Sequence, residues 1–220
     1  NSAAFRMDPE VPLVVPEVNA AAVRARPKGI IANPNCTTMT MMAVMGTLHR
    51  GWTLRELVVA SYQAASGAGQ AGVDRLYDEL TLVAGDRRLG QVAGDVRKAI
   101  SGLGSDSPFP APLALNVVPW AGSVRDGGWS SEELKVRNES RKILAIPDLA
   151  VSATCVRVPV VTTHAAAVHA RFAAPITVAG ARAALAAMPS IVVLDDPAAA
   201  AFPTPADVGR IGSRRVGRIR

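Results

Sequence analysis

Two thiols offer this sequence nucleophilic chemistry, Cys36 and Cys155. Cys36 follows Asn33-Pro-Asn35, turn-forming residues set directly after the apolar run 29–32. It precedes residues 37–49, whose apolar members Met39, Met42, Val44, Met45 and Leu48 give the stretch the pattern of a helix packed into a core. A cysteine at a helix start faces unpaired backbone N–H groups and the positive end of the dipole, both of which favour a thiolate. The competing use of such a residue is as a small buried hydrophobe. Cys155 sits inside an alternating, β-branched run, 151–161, where core packing is the expectation.

A reactive thiol needs a base, and only His49, His164 and His169 are available. His49 lies on the same helix as Cys36, about 20 Å away at 1.5 Å per residue, and is excluded. His169 falls within a strand-like run. His164 falls in the connection between the strands 151–161 and 166–172, where a side chain can point into a cleft, and is the favoured partner.

The elements that would position this pair follow from pattern. Residues 11–18 are proline-rich and suit an extended segment or sheet edge. Residues 29–35 read as a short buried strand ending in a turn. A strand is expected over 57–63, then a small-residue loop, 64–69, that lets backbone approach a ligand closely, then a helix over 71–82. Residues 84–112, rich in Gly, Ser, Asp and Pro, read as a surface excursion with a short helix near 96–100. Residues 113–118 are strand-like. Ser130-Ser-Glu-Glu133 has the form of a capping box opening a helix to about Leu144, closed by Pro147 and Asp148. The strands flanking His164 suggest a hairpin with the histidine near its tip. A helix over 178–187 and a strand over 191–194 complete an α+β domain with a mostly antiparallel sheet flanked by helices. The alternation Val216-Gly-Arg-Ile-Arg220 resembles a strand cut short.

With 220 residues, 49% hydrophobic and only 4% aromatic, the chain can bury a substantial core built from aliphatic side chains and methionine. No run reaches the roughly eighteen apolar residues of a spanning helix, no signal-peptide pattern opens the chain, and two cysteines imply reduced thiols, so a cytoplasmic protein without a membrane partner is expected. The net charge of +6 raises nucleic acid as a partner. Its concentration in Arg210, Arg214, Arg215, Arg218 and Arg220, with no aromatic residues to stack on bases, argues against it.

Four stretches in register, Asn33-Pro-Asn-Cys-Thr-Thr38, Ser61-Tyr-Gln-Ala-Ala-Ser-Gly-Ala-Gly69, Glu139-Ser-Arg-Lys142 and Cys155-Val-Arg-Val-Pro-Val-Val-Thr-Thr-His164, resemble the successive active-site motifs of aspartate-β-semialdehyde dehydrogenases. The similarity runs from Asn1 to Arg220. It implies a catalytic and dimerisation domain like that of glyceraldehyde-3-phosphate dehydrogenase over 33–220, with 1–32 the tail of a Rossmann-type dinucleotide-binding domain. The Gly-rich nucleotide motif of that domain is absent from these residues.

The resemblance also implies roles. Cys36 would attack an acyl phosphate, His164 act as acid and base, and Gln63 orient the acyl-enzyme. Arg157, Glu139 and Asn35 would hold the amino-acid substrate, Arg6 and Lys142 its phosphate, and Ser66 and Gly67 the nicotinamide end of NADP. After His164 the sequence runs Ala-Ala-Ala, where the family more often carries a serine. The implied partners are a small-molecule substrate, phosphate, and further copies of the chain in a homodimer or homotetramer. An acyl-phosphate reductase of the N-acyl-glutamyl-phosphate type, or a dimer-forming remnant without activity, are the competing assignments.

Overall fold

The computed structural model describes residues 2–208 and 214–220; Arg210 of the basic C-terminal run lies outside them. The first segment opens on a 3-10 turn, Ser2–Phe5, and bends through residue 10 before residues 11–15 run extended, joined by a single parallel bridge from Leu13 to Ala32, so the short strand expected over 29–35 is reduced to that one contact. Pro16 then opens a one-turn helix, α1 (Pro16–Asn19), where its missing N–H costs nothing. Val11, Leu13, Val15 and Ala32 are buried in the same core as the helix that follows.

That helix, α2 (Cys36–Trp52), is capped by Asn35, whose side-chain oxygen accepts the Thr37 N–H at 2.9 Å. Met41, Met42, Val44, Met45 and Leu48 are buried along it. Gly46 belongs inside this helix because a Cβ there would stand 2.7 Å from a methyl of Val18 on α1. His49 Nδ1 accepts the Leu54 N–H at 3.1 Å, which fixes it as part of the turn into the sheet.

The central strand is β1 (Leu54–Gln63), followed by a short 3-10 turn over Ala65–Ala68 and by α3 (Gln70–Val83). The excursion carries α4 (Asp95–Ala99) where a short helix was expected. The strand expected over 113–118 does not form. Leu113 and Ala114 give their N–H groups to the buried carboxylate of Glu79 on α3, at 2.6 and 2.9 Å, and only Val118 keeps a bridge, to Arg157. α5 (Ser131–Leu144) opens with the expected capping box, Ser130 and Glu133 each accepting the other's backbone N–H.

β2 (Ala150–Arg157) and β3 (Ala165–Phe172) do not form a hairpin. They flank β1 in the order β2-β1-β3, β2 parallel to it and β3 antiparallel, so the sheet is mixed rather than mostly antiparallel. The reason is the connection 158–164. It crosses the end of β1, accepting N–H bonds from Ala65 at Val160 and from Ser66 at Val161, and cannot fold back on β2. α6 (Val178–Ala186) and a parallel pair, β4 (Ile191–Val193) with β5 (Arg214–Val216), complete the α+β architecture.

β1 alternates from Leu57 to Gln63, after a bulge between Leu54 and Glu56. Leu57, Val59, Ser61 and Gln63 face the helices and are buried, while Val58 and Tyr62 stand on the opposite face, each 42% exposed. The core helices thus cover one face of the sheet at these positions and leave the other to solvent. The end of β1, the start of α2 and the end of β2 converge at one edge, where the candidate residues lie.

Candidate active site

Cys36 is the first residue of α2 and the connection ending at His164 reaches it: His164 Nε2 lies 3.2 Å from Cys36 Sγ. The histidine is aimed by strained backbone, since the preceding Thr163 sits at φ 75, a region a β-branched residue rarely enters. His164 Nδ1 in turn accepts the Ala64 N–H at 3.1 Å.

Gln63 is fully buried at the end of β1. Its Nε2 donates to Thr37 Oγ1 at 2.8 Å and to Ser61 Oγ at 3.2 Å, which leaves Oε1 without a hydrogen-bond partner among the described residues. Arg157, at the end of β2, is buried and donates through Nη1 to the Ala64 carbonyl at 2.8 Å. Among the described residues no carboxylate stands within ion-pair distance of it. A buried guanidinium without a counter-ion is a receptor for an anion. Gly67 fits against both groups, for a Cβ there would stand 2.4 Å from Arg157 Nη1 and 3.2 Å from His164 Cε1. Ser66 and Gly67 are exposed at the rim.

The electrostatics qualify the expectation of a ready thiolate. Partial removal of water pushes the Cys36 thiol up from its ordinary value, the Glu132 carboxylate adds to this, and the Thr37 N–H and the Arg157 charge only oppose it. Burial, then Arg157, hold His164 below its ordinary value, so the imidazole is neutral around neutrality. The resting pair is a thiol beside a neutral ring.

Asn35 joins the site to α5. Its Nδ2 donates to Glu132 Oε2 at 2.8 Å, and Glu132 Oε1 meets Lys135 at 2.5 Å. Neither Glu132 nor Lys135 was singled out from the sequence for a role at the site. The available signal was their i,i+3 spacing just after the capping box, which also describes an ordinary surface pair.

The nominated Glu139 and Lys142 sit elsewhere on the same helix. Glu139 is 1% exposed, with Oε2 accepting the Asn35 backbone N–H at 2.7 Å and Oε1 meeting Arg6 Nη1 at 3.3 Å. Lys142 Nζ donates to the carbonyls of Arg6, Asp8 and Val11 at 2.7 to 2.9 Å, which uses all three ammonium hydrogens. Lys142 is a tie between α5 and the first segment. Arg6 also donates to the Asn33 carbonyl at 2.8 Å and lines a shallow groove with Arg125, Ser131 and Lys135. Cys155 is a buried free thiol pushed up to about 11 by burial.

The family model for "Semialdehyde dehydrogenase, dimerisation domain" matches residues 45–220. The whole chain aligns with an aspartate-semialdehyde dehydrogenase of Streptomyces akiyoshiensis at 49% identity, spanning 63% of that protein, and with one of Corynebacterium glutamicum at 46%, spanning 62%. Among solved structures, aspartate semialdehyde dehydrogenase II of Vibrio cholerae, complexed with ASA, superposes over 97% of this chain and 59% of that one, with TM-score 0.85 and 34% identity. The chain therefore spans somewhat less than two thirds of the relatives it matches.

Proposed function

Since the chain belongs to the semialdehyde dehydrogenase family through its dimerisation domain, we propose that it forms the catalytic and dimer-forming part of an NADP-dependent aspartate-semialdehyde dehydrogenase. The observation that carries this reading is the 3.2 Å approach of His164 Nε2 to Cys36 Sγ beside the buried, unpaired Arg157. In this reading residues 1–32 are the tail of the nucleotide-binding domain and 33–220 the catalytic domain, in a cytoplasmic enzyme. Among the described residues no helix is long and apolar enough to cross a membrane.

The substrate class follows from charge. β-Aspartyl phosphate carries a carboxylate, an ammonium and an acyl phosphate. Arg157 takes the α-carboxylate in a two-pronged grip. Glu132 is the carboxylate whose charge acts on Cys36, Arg157 and His164, and on that ground it suits the ammonium better than Glu139; the oxygens of both are engaged within the chain, those of Glu132 by Asn35 and Lys135 and those of Glu139 by Asn35 and Arg6. Arg6 and Lys135, which line one groove on α5, suit the phosphate.

Cys36 Sγ, once ionised, attacks the acyl carbon; the C–S bond forms, the bond to the phosphate oxygen breaks, and phosphate leaves with its electron pair. NADPH, when bound, would supply the hydride that reduces the thioester carbon. The exposed turn of Ser66 and Gly67 fits the nicotinamide end, because Gly67 offers a flat approach to the Cys36–His164 pair. Gln63 steadies the acyl group through Thr37 and Ser61, and His164 stands by the sulfur and the oxygen that change charge.

The open face of the sheet, with Val58 and Tyr62 exposed, supports pairing with a second copy. The test is phosphate-dependent reduction of NADP by aspartate semialdehyde in the full chain, with Cys36→Ser as control. No turnover by the parent, or turnover that survives in the variant, would sink the proposal. A preference for an N-acylated glutamate semialdehyde would instead place the chain with the acyl-glutamyl-phosphate reductases.

A further inference from the structure

Arg6 is gripped at both ends by one helix. Its side chain gives Nε–H to the Asn33 carbonyl at 2.8 Å and meets Glu139 Oε1 through Nη1 at 3.3 Å. Its main-chain carbonyl accepts from Lys142 Nζ at 2.9 Å. Glu139 and Lys142 stand three residues apart on α5, and Lys135 stands four before Glu139, so the three share one face of the helix. Lys135 lines the same groove as Arg6 and Glu139. Two nitrogens of Arg6 are committed to the chain, and among the described residues Nη2 makes no hydrogen bond.

Lys142 is not placed like a lysine that binds an anion. All three of its ammonium hydrogens go to carbonyls, those of Arg6, Asp8 and Val11. Among the described residues no carboxylate lies within ion-pair distance of it. The three carbonyls belong to a stretch with little structure of its own: residues 6–10 form neither helix nor strand, and local turn bonds run from the Asp8 N–H to Phe5 and from the Val11 N–H to Asp8. Val11 is fully buried in the core. The ion pairs of Asp8 and Glu10, both with Lys28, are partly exposed and hold the stretch weakly. The Lys142 ammonium therefore sets the path from the anchored Val11 back to Arg6.

We propose that Lys142 is a positioning residue for the phosphate subsite: by gathering the carbonyls of Arg6, Asp8 and Val11 it fixes Arg6 against α5, where the guanidinium, steadied by Glu139, meets the anion beside Lys135. Lys142 acts on the anion only through Arg6. Without the ammonium three carbonyls lose their donor and the turn relaxes. Arg6 must then be ordered each time an anion binds, which weakens binding while leaving Cys36 and Arg157 as they are.

This inference rests on the proposed use of the groove for phosphate, and inorganic phosphate tests it without turnover. Binding is read from the ³¹P shift and line width over a millimolar titration of the full chain, in parent, Lys142→Met, Arg6→Leu and the double variant. Lys142→Met should weaken phosphate about tenfold in the parent and less than about twofold once Arg6 is replaced, because residues acting as one unit are not additive. Equal losses in both backgrounds would mean that Lys142 acts by its own charge, and would overturn the proposal. Unchanged affinity in Lys142→Met, or a parent that binds no phosphate, overturns it as well. Where Lys142→Met does not fold, Lys142→Gln, whose amide keeps two N–H donors, carries the same cycle with smaller losses. In the enzyme assay Lys142→Met should raise the KM for phosphate while kcat at saturating phosphate and the KM for aspartate semialdehyde stay within about twofold of the parent, a split that loss of folded protein does not give. A parent that shows the expected binding cycle without turning over aspartate semialdehyde supports the proposal and counts against the enzyme assignment alone.

Discussion

Glu139 Oε2 accepts the backbone N–H of Asn35 at 2.7 Å, tying α5 to the residue that caps the helix bearing Cys36. Its other oxygen holds Arg6, so Glu139→Ala leaves a buried N–H and a guanidinium without their acceptor. The expected loss is on the order of 1–3 kcal/mol, read from denaturant midpoints, and Glu139→Gln should lose less because an amide oxygen can still accept. Burial raises the Glu139 carboxyl, so its contribution is greatest at low pH and declines as pH rises through that raised value. The stability gap between parent and Glu139→Gln should narrow over that range; a gap that widens would contradict the assignment.

Cys36 should be alkylated before Cys155. Both thiols are held above their ordinary values, Cys155 at about 11, so few of either are ionised at neutral pH and access decides. Cys36 opens to solvent and Cys155 is buried. The Cys36 rate should also climb with pH through a range above that of a free thiol, since the raised group loses its proton late. Limiting iodoacetamide with peptide mass analysis checks both points, and early labelling of Cys155 or a rate flat with pH would refute them.

Gly67→Ala tests the packing of the anion receptor. The added methyl meets Arg157 Nη1 at 2.4 Å, and because that guanidinium is buried and bonded to the Ala64 carbonyl it must shift together with His164 beside it. Displacement of reacting groups by about 1 Å can lower a rate by about a hundredfold. The expected signature is a large fall in kcat/KM with a small change in Tm. Unchanged kinetics would show that Arg157 and His164 are not held in register by this turn.

The sequence made the long elements legible because their periodicity follows directly from burial. The apolar spacing through α2 and the Ser130–Glu133 capping box name their helices without help from tertiary structure. The run 113–118 misled because a mostly apolar stretch needs a partner strand, and the Glu79 carboxylate takes the Leu113 and Ala114 N–H groups instead. Strand order around β1 was hidden for a similar reason, as only the bonds from Ala65 and Ser66 show that 158–164 crosses the sheet edge. Cys36 and His164 were readable from their places at a helix start and a strand end. The acidic and basic residues of α5 were not, because charge type does not reveal direction. Glu133 bonds the Ser130 and Cys155 N–H groups, Glu139 faces Asn35 and Arg6, and Lys142 faces three carbonyls, all on one helix.

Tyr62→Glu should weaken self-association. The ring stands on the uncovered face of β1, between Val156 and Ala165 in register, and a charge placed among apolar neighbours cannot be buried against a second copy without a partner. Because that face is solvent-exposed in the single chain, the fold itself should tolerate the change. Sedimentation at micromolar concentration should show the parent as a dimer or larger and the variant shifted toward monomer. A monomeric parent with a cooperative melt would remove the interface.

Under the proposed function, the ammonium of an amino-acid substrate would distinguish Glu132 from Glu139, which are otherwise alike in charge and helix. Glu132 holds the Asn35 side chain and Lys135, and its charge acts on Cys36, Arg157 and His164, whereas Glu139 is 1% exposed and holds the Asn35 backbone and Arg6. Glu132→Gln should therefore weaken productive use of aspartate semialdehyde while sparing an aldehyde that lacks the α-amino group, moving the ratio of their kcat/KM values by about tenfold, or roughly 1.4 kcal/mol. Glu139→Gln should leave that ratio where it is in the parent, even if both rates fall with stability. Arg157→Leu should lose more than either, on the order of 2–4 kcal/mol in transition-state binding, because the α-carboxylate then meets no cation in a site largely removed from water. The measurement is the kcat/KM ratio for the two aldehydes in parent and variants of the full chain. A ratio that moves with Glu139 and not with Glu132 would return the ammonium to Glu139, and one that moves with neither would detach amino-acid recognition from α5 altogether.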